Sequence, residues 1–373
     1  MLRHIETLFP RYDLVVIGEG DLLPNYPELE WVRVDRSERM SGAVRWVERI
    51  STAALALLGK IVPRAYDLWY FTRPAYNQLY QAALKSSADA FLANDWETLP
   101  AAASAAAQMD AKLIFDAHEF APLEVEESKS WLFWSSPTIR YLLRRYAPRA
   151  DASVTVCVPI AERYTREYGF SPIVVMNAPK PVTTQIYPPS SDTIRLVHHG
   201  SAAASRRLDW LVEAVALSDP RFELHFFLVG SEGEIQRLQQ RAKTRLADRA
   251  FFHEPVAPQH ILETIAAYDL GLCVIPPTNY SYLVSLPNKF FDYINARLGV
   301  LIGPSPAMKA LVDTYGFGVV TSEFTPESIA QTLNALTPDR IAAMKQAADA
   351  AAQMLNADIE MAKMTALFDR VLG

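Results

Sequence analysis

A lysine and an aspartate follow a polar turn at a spacing that suits the recognition of a phosphate and a ribose. The turn ends at Asn288, and a short helix that stops near Gly299 is predicted before the apolar strand 300–303. Because the first turn of a helix leaves backbone N–H groups unpaired and carries partial positive charge, it favours a phosphate. Asp292 lies three residues after Lys289 on a nearby face, where its carboxylate could accept hydrogen bonds from a ribose. The alternative is an ordinary helix–strand unit of an α/β protein.

Two glycine turns follow strand-like runs further towards the N-terminus. One run ends at Gly200 and Ser201, a second ends at Gly230, and a helix is predicted to open near Arg206 and Arg207. Glycine permits close approach of a ligand to the backbone, and a cation neutralises charge on a leaving group. Since cations at a helix N-terminus oppose its dipole, the two arginines indicate a nearby anion. A solvated helix start is the alternative.

Acidic residues and a histidine follow two neighbouring strands of the first half. Asp95 comes directly after one predicted strand, and Asp116, His118 and Glu119 come at the end of the next. Catalytic groups of open α/β sheets gather at these carboxyl ends. A purely structural role is the alternative for His118, but its two acidic neighbours favour function. Among the other histidines both roles remain open at His198 and His199, and no pattern supports function at His4, His225, His253 and His260.

The elements that position these residues alternate between strands and helices, which predicts parallel sheets covered by helices on both faces. Strands are predicted in the first half over 13–17, 68–71, 90–93, 112–116, 152–157 and 172–175. Strands are predicted in the second half over 194–198, 223–229, 250–252, 270–274, 300–302 and 318–321. The polar, proline-rich stretch 177–190 is typical of a linker. The predicted fold class is therefore α/β, with two Rossmann-like doubly wound domains facing a cleft.

Composition narrows the class of protein. The chain has 373 residues, more than one typical core holds, and its net charge of −6 argues against a nucleic-acid partner. Cys157 and Cys273 lie inside apolar runs, which predicts buried thiols rather than a disulfide or a metal site. No signal-peptide pattern and no uncharged run of membrane-spanning length is present, so a soluble cytoplasmic enzyme is expected.

The segment Ser281 to Gly303 resembles the nucleotide-sugar signature of retaining glycosyltransferases of family 4, which have the two-domain GT-B fold. That signature reads Pro-x-Lys-[Leu/Phe]-Phe-[Glu/Asp]-Tyr, and residues 287–293 match it. The resemblance implies a donor site formed by Gly200, Ser201, Arg206, Gly230, Lys289 and Asp292. The segments 94–99 and 116–119 resemble family motifs of the forms Asn-Asp-x-x-Thr-Leu and Asp-x-His-Glu. The resemblance therefore implies an acceptor side at Asp95, His118 and Glu119, with catalytic roles for His118, Arg206 and Lys289.

The chain departs from the family pattern at three places. Ser201 stands where the family usually has Arg, and Val284 stands where it has the first of two acidic residues. The chain also begins with a helix-like segment, whereas the family begins with a strand and a glycine loop. Either translation starts upstream, or the protein is a divergent, impaired member.

The resemblance implies an N-terminal acceptor-side Rossmann-like domain over 1–178, a linker over 179–193, a nucleotide-sugar-binding domain over 194–355 and a returning helix over 356–373. The expected activity moves a sugar from a nucleoside-diphosphate-sugar to a saccharide or lipid-linked saccharide in cell-surface polysaccharide synthesis. The anomeric configuration is expected to be retained, without a metal or a cofactor, because no Asp-x-Asp motif is present. The alternatives are a non-catalytic GT-B partner protein and a nucleotide-sugar 2-epimerase.

Two stretches leave peripheral membrane contact open. Residues 44–61 and 131–146 combine aromatic, apolar and basic side chains, a composition that suits the membrane interface and a lipid-linked acceptor. The alternative is a core-facing helix with a basic outer face, and it is slightly favoured. Contact with the inner face of the membrane is therefore retained as the second expectation for localisation.

Overall fold

The structure, a computed structural model, describes residues 2–20, 26–35, 42–190 and 192–373. The strands are β1 (Val15–Gly18), β2 (Glu30–Arg33), β3 (Ala90–Asn94), β4 (Lys112–Asp116), β5 (Ala152–Thr155), β6 (Ile173–Val174), β7 (Ile194–Ser201), β8 (Phe222–Val229), β9 (Ala250–His253), β10 (Leu270–Cys273), β11 (Gly299–Ile302) and β12 (Gly318–Val320).

The helices alternate with these strands along most of the chain. They are α1 (Leu2–Leu8), α2 (Gly42–Gly59), α3 (Ala65–Phe71), α4 (Pro74–Lys85), α5 (Asp95–Met109), α6 (Lys129–Trp134), α7 (Ser136–Tyr146), α8 (Val158–Tyr168), α9 (Leu208–Ala216), α10 (Glu232–Leu246), α11 (Ile261–Ile265), α12 (Tyr280–Val284), α13 (Asn288–Asn295), α14 (Pro306–Tyr315), α15 (Pro326–Asn334), α16 (Pro338–Ala352) and α17 (Ala357–Leu372).

The chain divides into two compact units. Met1–Val175 and Met361–Gly373 form the first, and Met176–Glu360 forms the second. The first unit contains two separate parallel sheets, β1-β2 and β3-β4-β5-β6. Helix α17 belongs to this unit from Met361 onward, and its Met364, Leu367 and Phe368 pack in one apolar cluster with Ile114 and Val154 of the four-stranded sheet.

The second unit contains a six-stranded parallel sheet in the order β12-β11-β10-β7-β8-β9. The chain builds this sheet outward in one direction from β7 to β9 and then in the other from β10 to β12. This is the doubly wound order, and its direction reverses between β7 and β10. All four residues of β10 and of β11 are buried, as expected for strands covered by helices on both faces. The predicted α/β class with parallel sheets is confirmed.

The turn after β8 is fixed by a capped helix. Gly230 follows the strand, and Ser231 then caps α10 by accepting a hydrogen bond from the Glu234 N–H at 3.4 Å. The Glu234 carboxylate in turn accepts from the Ser231 hydroxyl at 3.1 Å and from the Ala204 N–H at 3.2 Å. Serine followed three residues later by glutamate is a helix-start signature, and here it also joins the turns after β7 and β8.

The strand predicted over Leu68–Phe71 is wrong, because these residues lie in α3. A four-residue apolar run does not by itself separate a strand from a buried helix. The buried residues Ala65, Tyr66, Trp69 and Tyr70 follow helical spacing, whereas Leu68 is exposed. Strand β2 was not predicted, since its sequence Glu-Trp-Val-Arg is short and has two exposed charged ends.

Both cysteines are buried free thiols, as predicted, and burial raises the pKa of each to about 12. Across the described part of the chain, no cluster of three or more His, Cys, Asp or Glu side chains is arranged to hold a metal ion. None of the helices in these ranges combines the length and the apolar character that a membrane crossing requires.

Candidate active site

The donor residues predicted from sequence lie in the second unit, mostly around the point where the strand order reverses. His198, His199, Gly200 and Ser201 end β7, and α13 follows the neighbouring β10 through a short α12. In open α/β sheets ligands bind outside the carboxyl ends of the strands at such a reversal. The topology therefore places these residues at the edge of the sheet where proteins of this architecture bind ligands.

Lys289, in the first turn of α13, points towards the end of β7. Its Nζ lies 3.0 Å from Nε2 of His198 and 3.4 Å from the point where a side chain on Gly200 would begin. Gly200 has φ +113°, a backbone conformation that other residues rarely adopt. The glycine thus permits the turn beside which the lysine amine lies.

Burial lowers the pKa of Lys289 to about 8, and the nearby positive charge of Arg206 acts in the same direction. A buried cation of this kind is stabilised when an anion binds, because the anion replaces the favourable interaction with water that burial removes. The amine is therefore suited to a phosphate.

His198 serves as a neutral acceptor for this amine. Its Nδ1 lies 2.9 Å from the Leu272 carbonyl oxygen, to which it must donate, so Nε2 carries the lone pair that faces Lys289. Burial first, and then the charge of Lys289, hold the pKa of His198 well below its usual range. His198 was undecided from sequence, and its partner lies 91 positions away along the chain.

Asp292 lies one helical turn after Lys289, beside the second histidine of β7. Its Oδ2 is 3.5 Å from Nε2 of His199, and its side chain is 14 % exposed. Burial and then the charge of Lys289 lower the pKa of His199 to about 3, so His199 is neutral at pH 7 and this contact is no ion pair. The carboxylate thus faces a neutral ring and reaches the surface, where it can accept hydrogen bonds from a ligand.

Tyr293 anchors α13 to the sheet. Its hydroxyl donates to the Leu272 carbonyl and accepts from the His199 N–H, each at 3.4 Å. A side chain at Gly271 would lie 2.2 Å from its ring, so only glycine on β10 permits this approach. The pair Gly271–Tyr293 therefore fixes the position of the helix that carries Lys289 and Asp292.

Arg206 ends the 3₁₀ turn Ala204–Arg206 that follows β7, and its guanidinium lies 4.7 Å from the ring of Tyr282 on α12. Arg207, the alternative cation, is bound instead by the Asp209 carboxylate, with its Nε and Nη2 at 3.0 and 2.9 Å. Of the two arginines, Arg206 is the one whose charge acts on Lys289.

The remaining donor positions have smaller roles in the geometry. Ser201 is exposed, and its hydroxyl accepts from the Ala203 N–H at 3.2 Å. A side chain on Gly230 would lie 3.1 Å from Cβ of Ala202, so the turns after β7 and β8 are in close contact. Val284 is only 2 % exposed, in agreement with its apolar character and with the departure from the family pattern.

The predicted acceptor-side residues form a second cluster, inside the first unit. Asp95 follows directly after β3, and Asp116 is the last residue of the neighbouring strand β4. His118 and Glu119 come shortly after Asp116. His118 has φ +45°, and its N–H donates to Oδ1 of Asp116 at 3.2 Å. Its carbonyl accepts from the Thr155 hydroxyl at 2.6 Å, which fixes the unusual backbone conformation.

Burial and the neighbouring histidine act in opposite directions on the pKa of the carboxyl groups in this cluster. Burial raises the pKa of Asp95 and of Asp116, and in both cases the charge of His118 opposes the rise. The main chain of Glu119 is held by Tyr164, whose hydroxyl donates to the Glu119 carbonyl at 2.7 Å. The backbone of this cluster is thus fixed at His118 and at Glu119 by hydrogen bonds from two hydroxyl groups.

His4 belongs to the same cluster and was not expected there. Its Nδ1 lies 3.8 Å from Oδ2 of Asp116, and Asn94 is a hydrogen-bond partner. Burial lowers the pKa of His4 to about 4, so the ring is neutral at pH 7. From the sequence, His4 was only a histidine in a helix-like segment at the start of the chain, which does not reveal the neighbour 112 positions later.

Two family models match the chain. Residues 37–179 match the model described as Glycosyltransferase Family 4, and residues 193–339 match the one described as Glycosyl transferases group 1. Among curated protein sequences, none matches this chain.

Solved structures with the same fold cover nearly the whole chain. Anabaena HepE in complex with UDP-glucose has a TM-score of 0.67 at 15% identity, covering 99% of this chain and 95% of its own. Sucrose-phosphate synthase from Thermosynechococcus elongatus has a TM-score of 0.67 at 13% identity, covering 99% and 91%. The E. coli trehalose-6-phosphate structure bound with UDP-2-fluoro glucose has a TM-score of 0.63 at 11% identity, covering 97% and 94%.

These likenesses show the fold, and the two family models carry the assignment, since they match the two halves of the chain in succession. The predicted family and the predicted enzyme class are confirmed: the chain belongs to the family 4-like glycosyltransferases with the GT-B fold.

Proposed function

We propose that this glycosyltransferase moves a sugar from a nucleoside-diphosphate-sugar to a hydroxyl of a saccharide or lipid-linked saccharide, and that UDP-glucose is the first donor to test. The observation that carries the proposal is the Lys289 amine, held at the strand-order reversal by a neutral His198. HepE was solved with UDP-glucose and the E. coli structure with UDP-2-fluoro glucose, which supports a uridine nucleotide.

On this proposal the diphosphate binds against Lys289, Arg206 and the N-terminus of α13, and Asp292 accepts hydrogen bonds from the ribose. When the bond from the anomeric carbon to the diphosphate oxygen breaks, negative charge develops on that oxygen. Fixed cations in a site of low polarity stabilise such charge without reorganisation. The acceptor oxygen forms the new bond, and its proton leaves with the departing diphosphate.

The acceptor side of the proposal rests on the cluster of the first unit. His118 carries the side chain that would contact the sugar or the acceptor hydroxyl, and Asp95 and Glu119 would line the acceptor pocket or orient that ring. The constrained backbone of His118 supports this role, because positive φ values at residues other than glycine concentrate at functional sites.

The proposal also covers the stereochemistry of the transfer, its independence of a metal ion, and the role and location of the protein in the cell. Retention of the anomeric configuration is tested by proton NMR of the first product, and independence of a metal by transfer assays with and without EDTA. A role in cell-surface polysaccharide synthesis and a cytoplasmic location are proposed on the basis of the family resemblance and the sequence. Polysaccharide analysis of cells with and without the gene tests the role, and fractionation of the cells tests the location.

Calorimetric titration with UDP, GDP and ADP tests the donor site. Wild type should bind one of them with micromolar affinity, and Lys289→Met and Asp292→Asn should each weaken this binding at least about tenfold, or 1.4 kcal/mol. Lys243→Met, which removes an exposed cation from α10, is the matched control and should bind as wild type does. Well-folded wild type that binds none of the three would contradict the donor site.

One observation favours a non-catalytic partner protein as the second candidate. The position at which the family has its first acidic residue is Val284, whose side chain is buried and cannot accept a hydrogen bond from the sugar. A non-catalytic partner would bind the nucleotide. It would neither hydrolyse a nucleotide-sugar nor transfer its sugar. Slow release of glucose from UDP-glucose that depends on Lys289 would exclude this candidate.

A further inference from the structure

Arg206 differs from its neighbour Arg207 in the kind of partner that holds it. Arg207 is bound by the Asp209 carboxylate, whereas no carboxylate among the described residues pairs with the guanidinium of Arg206. The guanidinium carbon of Arg206 lies 4.7 Å from the centre of the Tyr282 ring instead. The face of an aromatic ring attracts a guanidinium through its quadrupole and leaves the positive charge in place. Arg206 is therefore held by a neutral partner.

The backbone of Tyr282 is fixed on both sides within the short helix α12. Its N–H donates to Oδ1 of Asn279, the N-cap of this helix, at 2.8 Å. Its carbonyl accepts from the Ser285 hydroxyl at 3.1 Å. Asn279 is buried, so competing water has little access to this cap. The ring of Tyr282, which is partly exposed, thus projects from a fixed point.

The turn that carries Arg206 is fixed through its own backbone. The Arg206 N–H donates to the Ala203 carbonyl at 2.9 Å, and the Ala204 N–H donates to Oε1 of Glu234 at 3.2 Å. These bonds set the position of the Arg206 main chain, but they do not set the direction of its long side chain, whose ordering costs entropy. The contact with Tyr282 then sets where the guanidinium lies.

The position of this guanidinium matters because its charge acts on the donor site. Burial is the main cause of the lowered pKa of Lys289, and the charge of Arg206 acts in the same direction. Burial is also the main cause at His198, where the charges of Lys289 and Arg206 lower the pKa further. The two cations therefore act on the same space beside the end of β7, where both would meet one diphosphate.

We propose that Tyr282 is a positioning residue for donor binding, and that its ring directs the guanidinium of Arg206 towards the diphosphate that Lys289 also contacts. This inference rests on the proposed function and deepens it. Each of the two cations then has a neutral holder, the His198 ring for Lys289 and the Tyr282 ring for Arg206. A carboxylate in either place would orient the cation too, but its negative charge would oppose the approach of the diphosphate.

Titration of the Lys289 amine in the absence of nucleotide tests the position of the guanidinium. Carbon-13 NMR of full-length protein labelled in its lysine side chains follows this amine, and Lys289→Met identifies its signal. In Tyr282→Leu the released guanidinium should act less on the amine, so the pKa of Lys289 should rise above its wild-type value of about 8. Tyr282→Phe keeps the ring and should titrate as wild type does. In an Arg206→Met background, Tyr282→Leu should cause no further rise.

Calorimetric titration with UDP tests the consequence for binding. Tyr282→Leu should weaken the affinity about threefold to tenfold, the range for loss of a cation–π contact. The same substitution should weaken it less than about twofold when Arg206 is already Met, because the ring then has no guanidinium to hold. Trp210→Leu is the matched control, since it removes a ring that lies 4.7 Å from the guanidinium of Arg207. It should bind UDP as wild type does.

Two results would overturn the positioning role. One is a pKa of Lys289 that is the same in Tyr282→Leu as in wild type. The other is an equal loss of affinity from Tyr282→Leu with and without Arg206, which would mark a purely structural effect. Failure of the proposed function gives a different result: wild type would bind no nucleotide, and the positioning role would fall with it. Failure of this inference alone leaves wild-type binding and its dependence on Lys289 intact.

Discussion

The amine of Lys289 lies 3.0 Å from Nε2 of His198, and the Leu272 carbonyl fixes which nitrogen of that ring accepts. The lysine therefore has a neutral partner rather than a carboxylate. A neutral acceptor orients the amine without cancelling its charge, and the full charge remains for a ligand. This relationship connects the end of β7 with the start of α13.

The affinity for a nucleoside diphosphate should fall as pH rises through about 8, the pKa of the Lys289 amine. Only the protonated amine attracts the diphosphate, so each pH unit above 8 should weaken binding by up to about tenfold. His198 and His199 have pKa values far below 7, so they should add no inflection between pH 6.5 and 8. Calorimetry from pH 6.5 to 9.5 measures this profile.

The control for the pH profile is Lys289→Arg. A guanidinium stays charged throughout this range, so any binding that the variant keeps should be flat up to pH 9.5. The wild type should also take up protons on binding at pH 8, which titrations in buffers of different ionisation enthalpy detect. A flat wild-type profile would show that Lys289 does not contact the diphosphate.

Gly200→Ala should weaken both the fold and the donor site. The backbone at φ +113° disfavours alanine, which costs about 1–3 kcal/mol, and the added carbon would lie 3.4 Å from the Lys289 amine. Gly233→Ala is the matched control, because its added carbon meets nothing within 4 Å and it lies inside α10. Because Gly233 lies in the first turn of α10, that control should change the stability by less than about 0.5 kcal/mol. Urea unfolding and UDP titration measure the two effects, and equal results for both variants would contradict the assigned turn.

Gly271→Ala should destabilise the second unit by about 1–3 kcal/mol, through overpacking against Tyr293. The new carbon would lie 2.2 Å from the ring, so α13 would have to move away from the sheet. UDP affinity should fall with stability because α13 carries Lys289. Gly18→Ala is the comparison, since its nearest neighbour is Trp31 at 4.0 Å, and it should change stability by less than about 0.5 kcal/mol. Unchanged unfolding of Gly271→Ala would rule out the close contact.

The α/β alternation could be predicted from the sequence because long apolar runs and helical spacing recur through the chain. The strand predicted at Leu68–Phe71 failed because a four-residue apolar run fits both a strand and a buried helix turn, and α3 buries only part of it. Strand β2 was missed because its ends are charged and exposed, and only its pairing with β1 makes it a strand.

The site could be predicted only where a motif is contiguous. Lys289 and Asp292 could be assigned to one candidate site because they lie three positions apart on one helix. The partners of other candidate site residues lie on different elements. His198 contacts Lys289 across 91 positions, and His4 contacts Asp116 across more than a hundred. Such contacts depend on strand order and on the packing of helices against the sheet, which no local pattern encodes.

His118→Asn should lower glycosyl transfer about 10²–10⁴-fold, the range for loss of a group that moves or stabilises a proton in the transition state. Asparagine tolerates the φ of +45° at this position, and the hydrogen bond from the backbone N–H to Asp116 does not depend on the side chain, so the fold should be kept. UDP affinity should remain unchanged, because the cluster of Lys289 and Asp292 lies in the other unit. His260→Asn, in the second unit, is the control and should transfer as wild type does. Transfer by His118→Asn at the wild-type rate would remove His118 from the acceptor side and leave Asp95 and Glu119 as the residues to test.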